Sequence, residues 1–207
     1  MNWKDQAGTL YAILDASCFS SGKLLFDAAE ELASAGLKVI QYRNKFADAR
    51  TMLRQARKLK SRIGHRAKLV MNDRADLCLA AEFDGVHIGQ DDLSPESARR
   101  IVGPDRLLGL STHNPEQVAE ADRTSADYIA IGPVFATSSK ANPDPIVGLA
   151  GVRRARELTT KPLIGIGGIN RQNCFSVIEA GADSVAVISD LVRDPRKSAG
   201  EFLRILG

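Results

Sequence analysis

Short apolar runs alternate with amphipathic stretches from one end of the chain to the other. The runs are LYAILDA (10–16), VIQYR (39–43), KLVMND (68–73), GVHIG (85–89), LLGLST (107–112), YIAIG (128–132), PLIGIG (162–167) and SVAVIS (184–189). Each is short, rich in β-branched residues and almost continuously apolar, the pattern of strands buried on both faces. Between them Leu24–Ala35, Ala47–Ile63 and Pro115–Ala121 carry apolar residues at helical spacing. Ser94-Pro95 and Asn114-Pro115 mark helix starts, a capping side chain followed by a first-turn proline. Eight strand–helix units in 207 residues predict an α/β fold, a single (β/α)8 TIM barrel spanning 1–207 as one domain. An open doubly wound sheet is the structural alternative. The connection from Gly132 to Gly148 is long enough to expect a functional role.

On the barrel reading, Gln41, Arg43, Asn72, Asp73, Ser111, Thr112 and Ser189 fall at or just beyond C-terminal strand ends, where such barrels carry their chemistry. Lys68, Asp127 and Pro162 mark the opposite ends, with no comparable convergence expected. Asp73 ends one apolar run, and Asp91 with Asp92 follows the next. Clustered carboxylates suit a hard cation or a proton transfer, but Asp also caps helices, and both readings stand on the residues alone. QYRNK (41–45) sets Gln41, Arg43 and Lys45 two apart, so one side of a strand end gathers an anion-gripping set; a solvated basic loop is the alternative. IGGIN (166–170) and VISDL (187–191) close strands seven and eight, where phosphate sites of these barrels commonly lie. FATSSK (135–140) brings three hydroxyls and an ammonium to the long loop, as a closing lid would, or as an exposed polar loop would.

Composition narrows the classes. Apolar residues make up 44% and aromatics 5%, an aliphatic core suited to parallel sheet. Lysine plus arginine (28) against aspartate plus glutamate (25) leaves +3, too little to argue for nucleic acid. Cys18, Cys78 and Cys174 are scattered, as reduced thiols of a cytoplasmic protein would be. Asp15 interrupts the apolar segment before Cys18, and Asp5 offsets Lys4, so no leader is expected; no run is long enough to span a bilayer. The histidines are weak candidates: His65 reads as exposed, His87 as a core hydrogen-bonding residue, and His113 as a helix-entry or ligand-contact residue. No His/Cys spacing supports zinc, no nucleophilic triad assembles, and Cys78 reads as core.

Seven segments in unbroken order resemble thiamine phosphate synthases: QYRNK (41–45), MNDR (71–74), DGVHIGQDD (84–92), LGLSTH (108–113), YIAIGPVFATSSK (128–140), IGGIN (166–170) and VAVIS (185–189). The resemblance implies an enzyme that joins a pyrimidine diphosphate to a thiazole phosphate and releases diphosphate. By position it assigns Gln41, Tyr42, Arg43, Asn44, Lys45, Asn72, Ser111 and Lys140 to the pyrimidine diphosphate, with Arg43, Ser111 and Lys140 as catalytic residues. Thr137, Ser138, Ser139, Gly168, Ile188 and Ser189 would seat the thiazole phosphate, and Asp73 with Asp92 would bind Mg2+, leaving Asp91 a non-ligand. Ser139 stands where a second threonine is common, and Lys68 where a proline is frequent. The resemblance assigns no role to DASCFSSGK (15–23). Small phosphorylated molecules are the implied partners, without nucleic acid or membrane; a homo-oligomer is compatible. Rival readings are a thiazole tautomerase-like barrel, which needs no metal or diphosphate site, and a non-catalytic binder of thiamine intermediates.

Overall fold

A parallel sheet with no edge forms the centre of the computed structural model, which describes residues 7–137 and 144–207. The strands β1 (Leu10–Asp15), β2 (Val39–Arg43), β3 (Lys68–Asn72), β4 (Gly85–Ile88), β5 (Leu107–Thr112), β6 (Tyr128–Ile131), β7 (Leu163–Ile166) and β8 (Ser184–Val187) pair in sequence order, and β8 returns to β1. Outside them pack α1 (Gly22–Ser34), α2 (Ala49–Ile63), α3 (Ala75–Ala80), α4 (Pro95–Val102), α5 (Pro115–Asp122), α6 (Gly148–Leu158), α7 (Cys174–Glu179) and α8 (Pro195–Leu206). The closed barrel replaces the doubly wound alternative. No helix among the described residues is long and apolar enough to cross a membrane.

Local chemistry sets the element ends. Ser21, Asp48, Ser94, Asn114 and Asp194 each accept a hydrogen bond from a first-turn N–H of the helix that follows. Hence α2 begins at Ala49, two residues later than its apolar pattern, because Asp48 takes the cap. Strand three stops at Asn72 because Asp73 adopts a left-handed conformation (φ 62°). Strand seven stops at Ile166 because Gly167 and Gly168 do the same (φ 96° and 65°).

Alternation along the strands divides the core in two. Tyr11, Ile13, Val39, Val70, Tyr128, Ala130, Ile164 and Ala186 fill the barrel interior. Residues of opposite parity, such as Ile40, Tyr42, Leu69, Met71, Ile129 and Val185, pack with the helices. Both sets are almost wholly shielded from water, which explains why the strands read as unbroken apolar runs.

The N-terminal end of the barrel carries a convergence that the strand-end residues alone did not suggest. Asp84, Asp127 and Asp183 each immediately precede an even-numbered strand. Each donates its N–H to a carbonyl of the neighbouring odd strand (Leu69, Leu108 and Leu163, 2.7–2.8 Å). Each carboxylate then accepts the N–H of that same leucine, at 2.8, 2.8 and 2.9 Å. A cation from the helix before that odd strand completes each clamp: Lys60 of α2 at 3.1 Å, Arg99 of α4 at 2.6 Å and Arg156 of α6 at 2.8 Å. These acids hold strand starts and helices together, in keeping with the stabilising role of that barrel end. Asp183→Ala should therefore lower unfolding free energy by about 2 kcal/mol in urea titration, since a buried N–H and Arg156 both lose their acceptor. Asp105→Ala, at an exposed loop position, should change it by less than about 0.5 kcal/mol.

Candidate active site

Interior residues give way to a cavity of about 490 Å³ at the C-terminal end of the strands. Its lining includes Gln41, Arg43, Lys45, Asn72, Asp73, Asp92, Ser111, Thr137, Gly168, Ile188 and Ser189, so most of the residues picked from the sequence do converge. Two do not. Tyr42 lies between inward-facing Gln41 and Arg43 and therefore points outward, its hydroxyl bonded to Gln55 of α2 at 2.5 Å. Asn44 turns the same way, bonding Gln55 (3.1 Å) and Tyr42 (3.3 Å) through its amide nitrogen. Its oxygen accepts from the N–H groups of Phe46 and Ala47. These two residues brace the loop that carries Lys45 rather than lining the cavity. Ser138, Ser139 and Lys140 lie outside the described residues.

The helix ends remove the capping alternative for the two carboxylates. Helix α3 starts at Arg74 without any side-chain cap, and α4 is capped by Ser94, so neither Asp73 nor Asp92 serves as a helix cap. Asp73 donates its N–H to the carbonyl of His87 (2.8 Å), which ties the end of β3 to β4. Asp92 folds back to accept the N–H of Gly89 at 2.7 Å. Burial raises the Asp73 pKa, and the neighbouring Asp92 adds to that rise, while Lys45 opposes it with its ammonium 2.5 Å from the carboxylate. Two adjacent carboxylates, one half-buried, form a site that favours a cation. Among the described residues no group of three or more His, Cys, Asp or Glu forms a protein-only cage. A cation here would complete its shell with substrate and water oxygens, the usual manner of Mg2+.

The cations of the second strand are also held. Arg43 lies opposite Asp15 in the β1–β2 register and ion-pairs with it. Asp15 is 3% exposed and also accepts from the N–H and hydroxyl of Ser17, at 2.9 and 2.7 Å. The strand-one loop, left without a role by the sequence, thus supplies the counter-ion that orients Arg43. Only the pairing register brings the two together.

The cavity floor was the larger omission. Gln41 donates to the Tyr11 hydroxyl (3.2 Å), which bonds the Tyr128 hydroxyl (3.0 Å). Tyr128 bonds His87 Nδ1 (3.1 Å), and His87 Nε2 bonds the Ser111 hydroxyl (2.8 Å). The His87 and Tyr128 rings stack 5.5 Å apart. Gly109 makes room for them, since a Cβ there would fall 2.1 Å from Tyr128 Cζ and 2.4 Å from His87 Nδ1. His87 does satisfy core hydrogen bonds, as read, but it does so facing the cavity. The available signal was parity: Tyr11, Gln41, His87, Ser111 and Tyr128 occupy inward positions of their strands. His113 secures the rim, donating from Nδ1 to the carbonyl of Gly132 at 2.6 Å.

Across the cavity, loops after β7 and β8 present backbone. At Gly168 a Cβ would fall 2.4 Å from the carbonyl oxygen of Ala136, so only glycine lets this loop pass beside the long one. Ser189 opens a short 3-10 turn (Ser189–Leu191).

Burial lowers the pKa of His87 to about 4, against a weaker opposing pull from Asp92. Its folded-state value thus lies below the ordinary 6.5, and the ring is neutral at pH 7. As pH falls from 6.5 to 4, the unfolded chain takes up a proton that the folded protein refuses, so stability is lost across that window. The loss due to His87 should be about 3 kcal/mol. Denaturant titrations between pH 7 and 4 should show a shallower decline for His87→Gln.

Similarity to known proteins points to one family. The family model described as thiamine monophosphate synthase matches residues 10–191. A thiamine-phosphate synthase of Koribacter versatilis is 58% identical over 200 residues, covering 95% of each chain. Another, from Methanosarcina mazei, is 38% identical over 198 residues, covering 95% of this chain and 82% of the relative. The solved structure of thiamine phosphate pyrophosphorylase from Pyrococcus furiosus superposes with a TM-score of 0.87 at 31% identity, covering 99% of this chain and 98% of that one. With the barrel, the carboxylate pair and the QYRNK strand all in place, the chain belongs to the thiamine phosphate synthase family.

Proposed function

We propose that this protein joins 4-amino-5-hydroxymethyl-2-methylpyrimidine diphosphate to 4-methyl-5-(2-phosphoethyl)thiazole, or to its carboxylate form with loss of CO2, to give thiamine phosphate and diphosphate. The observation that carries the reading is the pairing of Asp73 and Asp92, free of capping duty, with Arg43 and Lys45 around one cavity. On this reading Asp73 and Asp92 hold Mg2+, which supplies positive charge against the leaving diphosphate. Lys45, ion-paired with Asp73, would exchange that carboxylate for a phosphate oxygen.

The chain's own residues account for the remaining chemistry. Arg43, oriented by Asp15, offers a fork of N–H donors to the diphosphate. Lys140 is assigned to the same group by the family pattern. These charges favour departure of the diphosphate as the carbon–oxygen bond breaks, because negative charge on the leaving group grows in that transition state. The electron-rich aminopyrimidine supports the positive methylene that results, and the thiazole nitrogen captures it. Gln41, Asn72 and the neutral floor of Tyr11, Tyr128 and His87 orient the pyrimidine ring; Ser111, held by His87, meets its diphosphate. Thr137, Ser138, Ser139, Gly168, Ile188 and Ser189 seat the thiazole phosphate. The long loop between β6 and α6 excludes water that would otherwise consume the cation. No protein nucleophile is required. A cytoplasmic location goes with this reading.

Mixing both phosphorylated halves with the protein should yield thiamine phosphate and diphosphate only when Mg2+ is present. Formation of neither product would remove the proposal and favour a tautomerase or a binder; formation unaffected by chelation would remove the Mg2+ role. Asp92→Asn should reduce kcat/KM by on the order of 100-fold and raise the Mg2+ requirement. Asp91→Asn should change kcat/KM by less than about threefold; equal mild effects would show that the wrong carboxylate had been chosen.

A further inference from the structure

Behind the cavity wall, one arginine joins the two loops assigned to the thiazole phosphate. Arg171 follows the Gly168 loop directly, and Asp190 adjoins Ser189. The Arg171 backbone N–H and Nε both donate to Asp190 Oδ2 at 3.0 Å, and Nη2 donates to Oδ1 at 2.8 Å. The remaining arm, Nη1, ion-pairs with Glu201 of α8. None of the three lines the cavity. The side chains are 32%, 20% and 28% exposed respectively, so the cluster is largely shielded.

The connection from this clamp to the cavity is short and stiff. Asn173 donates to the Gly168 carbonyl (3.0 Å) and accepts the N–H of Asn170 (2.8 Å), fixing the residues between Gly168 and Arg171. On the other side, the N–H of Leu191 reaches the carbonyl of Ile188 at 3.2 Å, so Asp190 sits inside a closed turn. An isolated surface ion pair is worth little, but a bidentate fork reinforced by a backbone N–H and a second carboxylate fixes distance and angle together.

We propose that Arg171, with Asp190 and Glu201, is a positioning unit that sets the separation of the Gly168 and Ser189 loops and thereby the affinity for the thiazole phosphate. This rests on the reading of those loops as the phosphate seat. The clamp touches no reacting atom and acts only through the loop backbones. A donor set displaced by a fraction of an ångström grips a phosphate poorly, while the pyrimidine side, built on β1 to β6, is unaffected.

Steady-state kinetics on the full chain with both substrates tests it. Arg171→Met should raise KM for the thiazole phosphate about tenfold, leave KM for the pyrimidine diphosphate within about twofold, and lower kcat less than about threefold. Arg171→Lys restores the charge without the fork and should recover less than half of the lost affinity. Asp190→Asn, which keeps Arg171 on Glu201, should give the same pattern more weakly and serves if Arg171→Met fails to fold. Amide hydrogen exchange should quicken at 167–170 and 188–190 and stay unchanged in β2 and β3. A parallel rise in both KM values, an unchanged thiazole-phosphate KM, or full recovery by lysine overturns the clamp. Ser189→Ala separates the two levels: if it raises the thiazole-phosphate KM and Arg171→Met does not, only the clamp fails. If Ser189→Ala also leaves that KM unchanged, the phosphate seat is misassigned and the clamp falls with it.

Discussion

A parallel sheet that closes on itself leaves no strand edge unpaired, and this closure governs everything else in the molecule. With β8 bonded to β1, every strand is paired on both sides, and alternate side chains are forced into one enclosed column. Polar groups buried in the column are costly without partners, so its upper part becomes a network, with the Ser184 hydroxyl at the other end left unpartnered among the described residues. Gln41, Tyr11, Tyr128, His87 and Ser111 share their hydrogen bonds, and burial keeps His87 neutral. Gly109 is a consequence of the same crowding, since any side chain there would occupy the space of two rings.

The two ends of the barrel use the same residue types for opposite purposes. At the N-terminal end, Asp84, Asp127 and Asp183 are each matched to a backbone N–H and a helix cation, and nothing is left to bind a ligand. At the C-terminal end, Asp73 and Asp92 lie side by side with Lys45 as counter-charge, and Arg43 rests on Asp15. On the proposed reading, a metal and a diphosphate would take up the charges that these pairs now satisfy internally. Pre-arranged charges of this kind need not reorganise as the reaction proceeds, which is where an electrostatic site gains its rate.

Tyr42 and Asn44 show how position within a motif decides role. Both lie in QYRNK, yet strand parity turns Tyr42 onto Gln55, and Asn44 follows it to tie down the next two residues. Their work is to present Lys45. Arg171 stands in a similar relation to Gly168 and Ser189, one layer behind a surface built mostly of backbone. Support from behind matters most where the contacting groups are main-chain and cannot adjust by rotating a side chain.

The sequence alone determined the number and order of the strands, the end of the barrel that carries chemistry, and many of the polar residues at the cavity rim. Those properties follow from apolar periodicity and from the fixed polarity of a β/α repeat, both of which are local. It could not separate a capping aspartate from one free to bind a cation, because that depends on where the next helix N–H groups point. Nor could it pair Asp15 with Arg43, Arg171 with Asp190, or Tyr11 with Tyr128 and His87, which lie far apart in the chain. Those meetings are set by strand register and barrel closure, and only the folded structure brings them within hydrogen-bonding distance.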